Sequence, residues 1–106
     1  MKVFISQPMR DKTNEEIEAE RKKAEAAIKK QFGDVEIIDS FFKDAPHEAK
    51  PLWFLGKSFE LLSTADAAVF LPGWGNARGC DMELRACKAY GIDAYGYTEE
   101  YGITKI

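Results

Sequence analysis

Apolar residues in this chain form short continuous runs that alternate with stretches where they recur every three or four positions, the pattern of buried strands alternating with amphipathic helices. Val3-Phe4-Ile5 reads as a first strand, and Ser6-Gln7-Pro8 ends it, because proline cannot donate to a central ladder. Thr13-Asn14-Glu15-Glu16 has the form of a capping box, with Thr13 as N-cap and Glu16 reaching back. Ile17, Ala24, Ala27, Ile28 and Phe32 then recur at helical spacing, with Lys and Glu on the other face, which predicts a helix to about Gln31 that Gly33 ends. Val35 to Asp39 is the second strand. Ser40 to Pro51 mixes Phe41, Phe42, acidic residues, Pro46 and His47, a composition that suits a covering loop more than a tight turn. Leu52, Leu55, Phe59 and Leu62 predict a second helix with a core-facing stripe. Ala65 to Leu71 reads as a third strand closed by Pro72-Gly73, Met82, Ala86, Ala89 and Tyr90 as a third helix ending at Gly91, and Ile92 to Tyr97 as a fourth strand.

Strands separated by helices of this length imply right-handed crossovers and a parallel sheet covered on both faces. The predicted fold is a Rossmann-like (flavodoxin-like) α/β three-layer sandwich with about four to five strands, order 2-1-3-4, in one domain spanning residues 1–106. In such a sheet the ligand crevice lies outside the carboxyl ends of the strands, at the switch point. That places the loops after strands one and three side by side. Ser6, Gln7, Pro8, Met9 and Arg10 then face Gly73, Trp74, Asn76, Arg78, Gly79 and Glu83.

Composition narrows the partners. A formal net charge of −3 gives no field that would gather a nucleic-acid polymer, although Arg10 and Arg78 can still meet one small anion. Cys80 and Cys87 are seven residues apart, on one helix face and about 10 Å apart along its axis, too far for a disulfide; they read as free buried thiols. The apolar start is too short for a signal peptide and no segment reaches membrane-spanning length, so the expected location is cytoplasmic. His47 is the only histidine and has no second ligand at metal spacing, so no metal is expected. Neither a Walker loop, a dinucleotide fingerprint nor a nucleophile elbow is present, so no cofactor is expected and serine-hydrolase chemistry fails.

Glu83 is the candidate with chemistry. Near the start of a helix its carboxylate would be kept ionised by the positive helix end, and an ionised carboxylate can act as a nucleophile. It could equally just complement the helix dipole. Ser6 and Gln7 can hydrogen-bond a sugar or phosphate, or simply end the strand. Trp74 can stack on a base and Trp53, Phe41 and Phe42 can line a lid, or all can belong to the core.

Val3-Phe4-Ile5-Ser6-Gln7-Pro8, Ala65-Asp66-Ala67-Ala68-Val69 and Gly79-Cys80-Asp81-Met82-Glu83-Leu84, followed by Ala86, Ala89 and Tyr90-Gly91, together resemble the nucleoside 2-deoxyribosyltransferase-like superfamily. The likeness covers nearly the whole chain and is greatest to a short, poorly characterised branch found in bacteria and phages. It implies cleavage or exchange at the N-glycosidic bond of a nucleoside or nucleoside monophosphate, with Glu83 in the place of the nucleophile. It further implies Asp66 as a structural or site-supporting group and a homodimer or larger homo-oligomer, to which the tyrosine-rich segment Tyr95 to Tyr101 could contribute. Two departures stand out. Ser58 occupies the place, eight residues before Asp66, where transferase members carry a second carboxylate, and Asn76-Ala77-Arg78-Gly79-Cys80 replaces the usual small-residue loop. Arg78 would suit a phosphate. A non-catalytic nucleotide-binding module, a sensor or sponge, is the alternative reading. The phosphoribohydrolases that release cytokinin bases rank third, because their Pro-Gly-Gly-x-Gly-Thr pattern is absent.

Overall fold

Val3 to Ile5 and Ala67 to Phe70 are at most 1 % exposed, so both central strands are apolar on both faces, as strands covered by helices on each side must be. The computed structural model describes residues 1–42 and 45–106; Lys43 and Asp44, within the expected covering loop, lie outside the described residues. The elements are β1 (Lys2–Ser6), α1 (Asn14–Phe32), β2 (Glu36–Ile38), α2 (Pro51–Leu62), β3 (Ala67–Phe70), a 3₁₀ turn (Trp74–Asn76), α3 (Arg78–Tyr90), β4 (Asp93–Thr98) and β5 (Gly102–Lys105). The sheet order is β2-β1-β3-β4-β5. The first four strands are parallel and β5 returns antiparallel to β4, so the Rossmann-like α/β order 2-1-3-4 holds, with a fifth strand on the edge.

The capping box forms: Thr13 Oγ1 accepts from Glu16 N at 3.1 Å, and Glu16 Oε1 accepts from Thr13 N at 3.2 Å. At the other end Gly33 takes φ 79° and stops α1. The two faces of the sheet hold separate halves of the core. Ala24 and Ile28 of α1 cover Val3, Ile5, Val69 and Leu71, while Leu62 of α2 and Cys80 and Cys87 of α3 cover Phe4, Ala68, Phe70 and Ala94. Each fully buried Phe contributes roughly 2–3 kcal/mol of burial free energy. Both cysteines are free and buried, as their spacing predicts.

The core-facing stripe expected on α2 is only partly realised. Leu62 is buried, but Leu52 is 75 % exposed and Phe59 38 %. The three-residue β2 gives the outer end of this helix little sheet to cover. Tyr95 and Tyr97 lie in β4, within the expected fourth strand, facing α1, with Tyr95 edge-on to Phe32 at 5.1 Å. No described helix is long and apolar enough to cross a membrane.

Candidate active site

The first and third loops meet as the topology requires. Gly73 has φ 92°, a conformation open to glycine, and a Cβ built on it would lie 3.5 Å from Pro8 Cγ. Beneath this junction Ser6, the last residue of β1, points to the α3 face and its Oγ donates to Glu83 Oε1 at 3.0 Å. Glu83 is 6 % exposed, and its other oxygen, Oε2, is buried with no hydrogen-bond partner among the described residues. A buried acceptor left unpaired costs on the order of 1–3 kcal/mol and calls for an explanation.

Glu83 differs from expectation in one respect. It is the sixth residue of α3, roughly 7–8 Å along the axis from the helix start, beyond the reach of the terminal amides. Burial therefore dominates and raises its pKa to about 7, with the Ser6 hydrogen bond opposing. The carboxyl is balanced between its two forms at neutral pH; it is not held ionised by the helix end. Cys80 and Cys87, one turn before and after it, are pushed up to about 11, chiefly by burial, so both remain thiols.

Gln7 is corrected. Successive strand residues face opposite ways, so Gln7 turns away from Ser6 and into α1. Its Nε2 donates to Ile17 O at 2.9 Å and Glu20 Oε1 at 3.0 Å, and its Oε1 accepts from Arg21 Nη1 at 3.3 Å. Both amide protons are committed inside the protein, leaving none for a substrate. Asp66 is corrected too. It precedes β3 and sits at the amino ends of the strands, where its Oδ2 accepts from Lys2 N at 2.7 Å, on the opposite rim from Glu83. Trp74 is half-buried against the core, edge-on to Phe70 at 6.0 Å, rather than presented for stacking.

Pro8 and Met9 are half-buried at the junction, while Arg10, Asn76 and Arg78 are exposed around it and Gly79 is half-buried in the first turn of α3. Ala77 gives that turn no side-chain cap, so its amides are open to an incoming anion. Ser58 lies half-buried on α2, and no hydrogen bond links it to Glu83. Phe42, Trp53 and Phe54 pack on one another, with Trp53 and Phe54 edge-on at 5.1 Å, and His47 is exposed. Among the described residues no cluster of His, Cys, Asp and Glu could hold a metal ion.

Sequence reasoning missed Arg21, Ser40 and Glu20. The signal was present for Arg21, which falls between Ile17 and Ala24 at steps of four and three, a charged residue within the buried stripe of α1. A surface groove of about 140 Å³, lined by Glu20, Lys23, Leu71, Tyr97 and Glu99 among others, opens on the α1 side of the sheet, whereas Glu83 lies on the α3 side. No described protein family, curated protein or solved structure matches the chain.

Proposed function

We propose that this protein cleaves or transfers at the N-glycosidic bond of a nucleoside or nucleoside monophosphate, with Glu83 as nucleophile. The observation that carries the reading is the buried Glu83 carboxyl, one oxygen fixed by Ser6 and the other unpartnered beneath the junction of two strand-end loops. The resemblance of Val3 to Pro8 and Gly79 to Leu84 to nucleoside 2-deoxyribosyltransferase-like proteins supplies the substrate class. In this scheme ionised Glu83 attacks the anomeric carbon. The C–N bond breaks with its electron pair on the base, which takes a proton from solvent. Water then attacks the anomeric carbon, releases a proton to solvent and frees the carboxylate; a second base in place of water gives transfer. Arg78 and the open first turn of α3 suit a 5′-phosphate, with Arg10 across the junction. Because attack requires the ionised form, the rate constant rises with pH through about 7. Assembly as a homodimer or larger oligomer belongs to the same reading, supported by the exposed Leu52, Phe54 and Phe59 of α2.

The second reading is a nucleotide-binding module without chemistry. Ser58 favours it, since a neutral hydroxyl stands where the transferases place their second carboxylate. Chromatography of the protein incubated with ribo- and deoxyribonucleosides and their monophosphates decides between them. The expected result is free base from wild type and none from Glu83→Gln. Release that survives the substitution overturns the nucleophile. Thermal stabilisation by a ligand without any release selects the binding module, and neither effect across the panel removes the nucleoside reading altogether.

A further inference from the structure

Arg21 is 6 % exposed, a charged side chain on the buried stripe of α1, and burial lowers its pKa while Glu25 and Asp39 oppose that shift. Among the described residues it makes no ion pair, and its hydrogen-bond partners are neutral: Nη1 donates to Gln7 Oε1 at 3.3 Å and Nη2 to Ser40 Oγ at 3.2 Å. Ser40 Oγ in turn donates to Ile5 O at 2.9 Å. Gln7 is anchored by Ile17 O and by Glu20, whose carboxylate also holds Lys12 at 2.9 Å. One planar guanidinium thus ties the segment after β1 to the segment after β2 and fastens both to α1. Burying a cation is costly, and Glu25 and Asp39 offset that only in part; a hydrophobic side chain at this position would fill the stripe without the cost.

We infer that Arg21 is a positioning residue, the clamp that fixes the β1 loop, residues 7–12, over Glu83. This rests on the proposed reaction for its catalytic consequence, though not for the clamp itself. Ser6 and Gln7 are adjacent, so the same short segment hydrogen-bonds Glu83 through one residue and Arg21 through the next. Pro8, Met9 and Arg10 follow directly, and Pro8 lies close enough to Gly73 of the facing loop that a Cβ there would meet it at 3.5 Å. Without Arg21 the Gln7 side-chain carbonyl loses its partner and the link to Ser40 is broken, so Pro8 to Arg10 are held through Gln7 Nε2 and Lys12 alone, while the Ser6–Glu83 pair, on the other face of the sheet, keeps its geometry. Lysine does not replace this group, because an ammonium lacks the fork that reaches Gln7 and Ser40 at once.

The test uses Arg21→Lys and, as the gentler change, Ser40→Ala, with two readouts. In amide hydrogen exchange, residues 7–12 and 40–42 are expected to exchange about tenfold faster in Arg21→Lys, and residues 40–42 alone in Ser40→Ala, while Cys80 to Cys87 stay within about twofold of wild type in both. Unchanged loop exchange, or a uniform rise that includes α3, overturns the clamp. In steady-state kinetics on whichever nucleoside or nucleotide wild type cleaves, KM is expected to rise about tenfold with kcat within about twofold. A merely structural residue instead lowers the folded fraction, which reduces apparent kcat and leaves KM unchanged; that pattern overturns the positioning role. If wild type neither cleaves nor binds any of these compounds, the reaction fails and the exchange data still decide the clamp.

Discussion

At the scale of single residues, Glu83 shows stability and chemistry opposed in one side chain. Its pKa moves from the usual 4.5 to about 7 on folding, so the folded state binds the proton more tightly than the unfolded chain. Stability from this group is complete below pH 4.5 and is lost as pH rises through 7, reaching on the order of 3 kcal/mol at alkaline pH. The ionised form that attacks carbon is therefore the form the fold tolerates least. Glu83→Gln keeps the shape and removes the charge at every pH. It is expected to abolish base release and to raise Tm by roughly ten degrees or more at pH 8 but by only about a quarter as much at pH 5, as thermal denaturation at the two pH values would record. An equal change in Tm at both would mean that Glu83 has the same pKa in the folded and unfolded states. Cys80 and Cys87 flank the carboxyl but hold their protons to about pH 11, so thiol-directed reagents should react slowly at pH 8 in the native state.

At the scale of elements, the connection from β3 to α3 depends on a backbone shape that only glycine adopts freely. A Cβ on Gly73 would meet Pro8 at 3.5 Å, an ordinary contact, so the cost of Gly73→Ala is the φ of 92° and not crowding. A loss of about 1–2 kcal/mol is expected from the urea midpoint, with Gly73→Asn losing less because asparagine tolerates left-handed backbone. No loss in either variant would show that the loop readily takes another path. The same elements show what sequence can reveal. Runs such as Ala67 to Phe70, the Thr13 capping box and the glycine after α1 were legible because each acts within a few residues. β5 was not, since Gly102 to Lys105 is a short edge strand with little apolar content, defined by its pairing with β4. The direction of Gln7 follows from strand alternation once Ser6 is placed, and the rim of Asp66 from its position before β3; both are three-dimensional facts that a list of polar loop residues does not encode. Burial of Glu83 is likewise a tertiary property, and it reverses the expectation drawn from the helix end.

At the scale of the whole molecule, one surface is out of balance with the rest. The chain carries 18 acidic and 15 basic residues, yet α2 exposes Leu52 at 75 % and Phe59 at 38 % on one face, two turns apart, with Phe54 at 36 % on another. The only charges within α2, Lys57 and Glu60, lie 3.5 Å apart and cancel. Two copies can therefore bring this face together about a two-fold axis without setting like charges against each other, which makes a second copy of the chain the occupant that fits. Sedimentation equilibrium is expected to give a dimer for wild type and a monomer for Phe59→Glu, because a carboxylate beside Leu52 on the apolar face meets its own image across the axis. Phe59 is already partly exposed, so the substitution leaves the monomer fold intact, and circular dichroism should match wild type. A wild-type monomer, or a dimer that survives Phe59→Glu, would remove α2 as the contact. Dimerisation lost together with base release would place a residue of the second copy at the Glu83 site, whereas dimerisation lost with release intact would make each chain complete by itself.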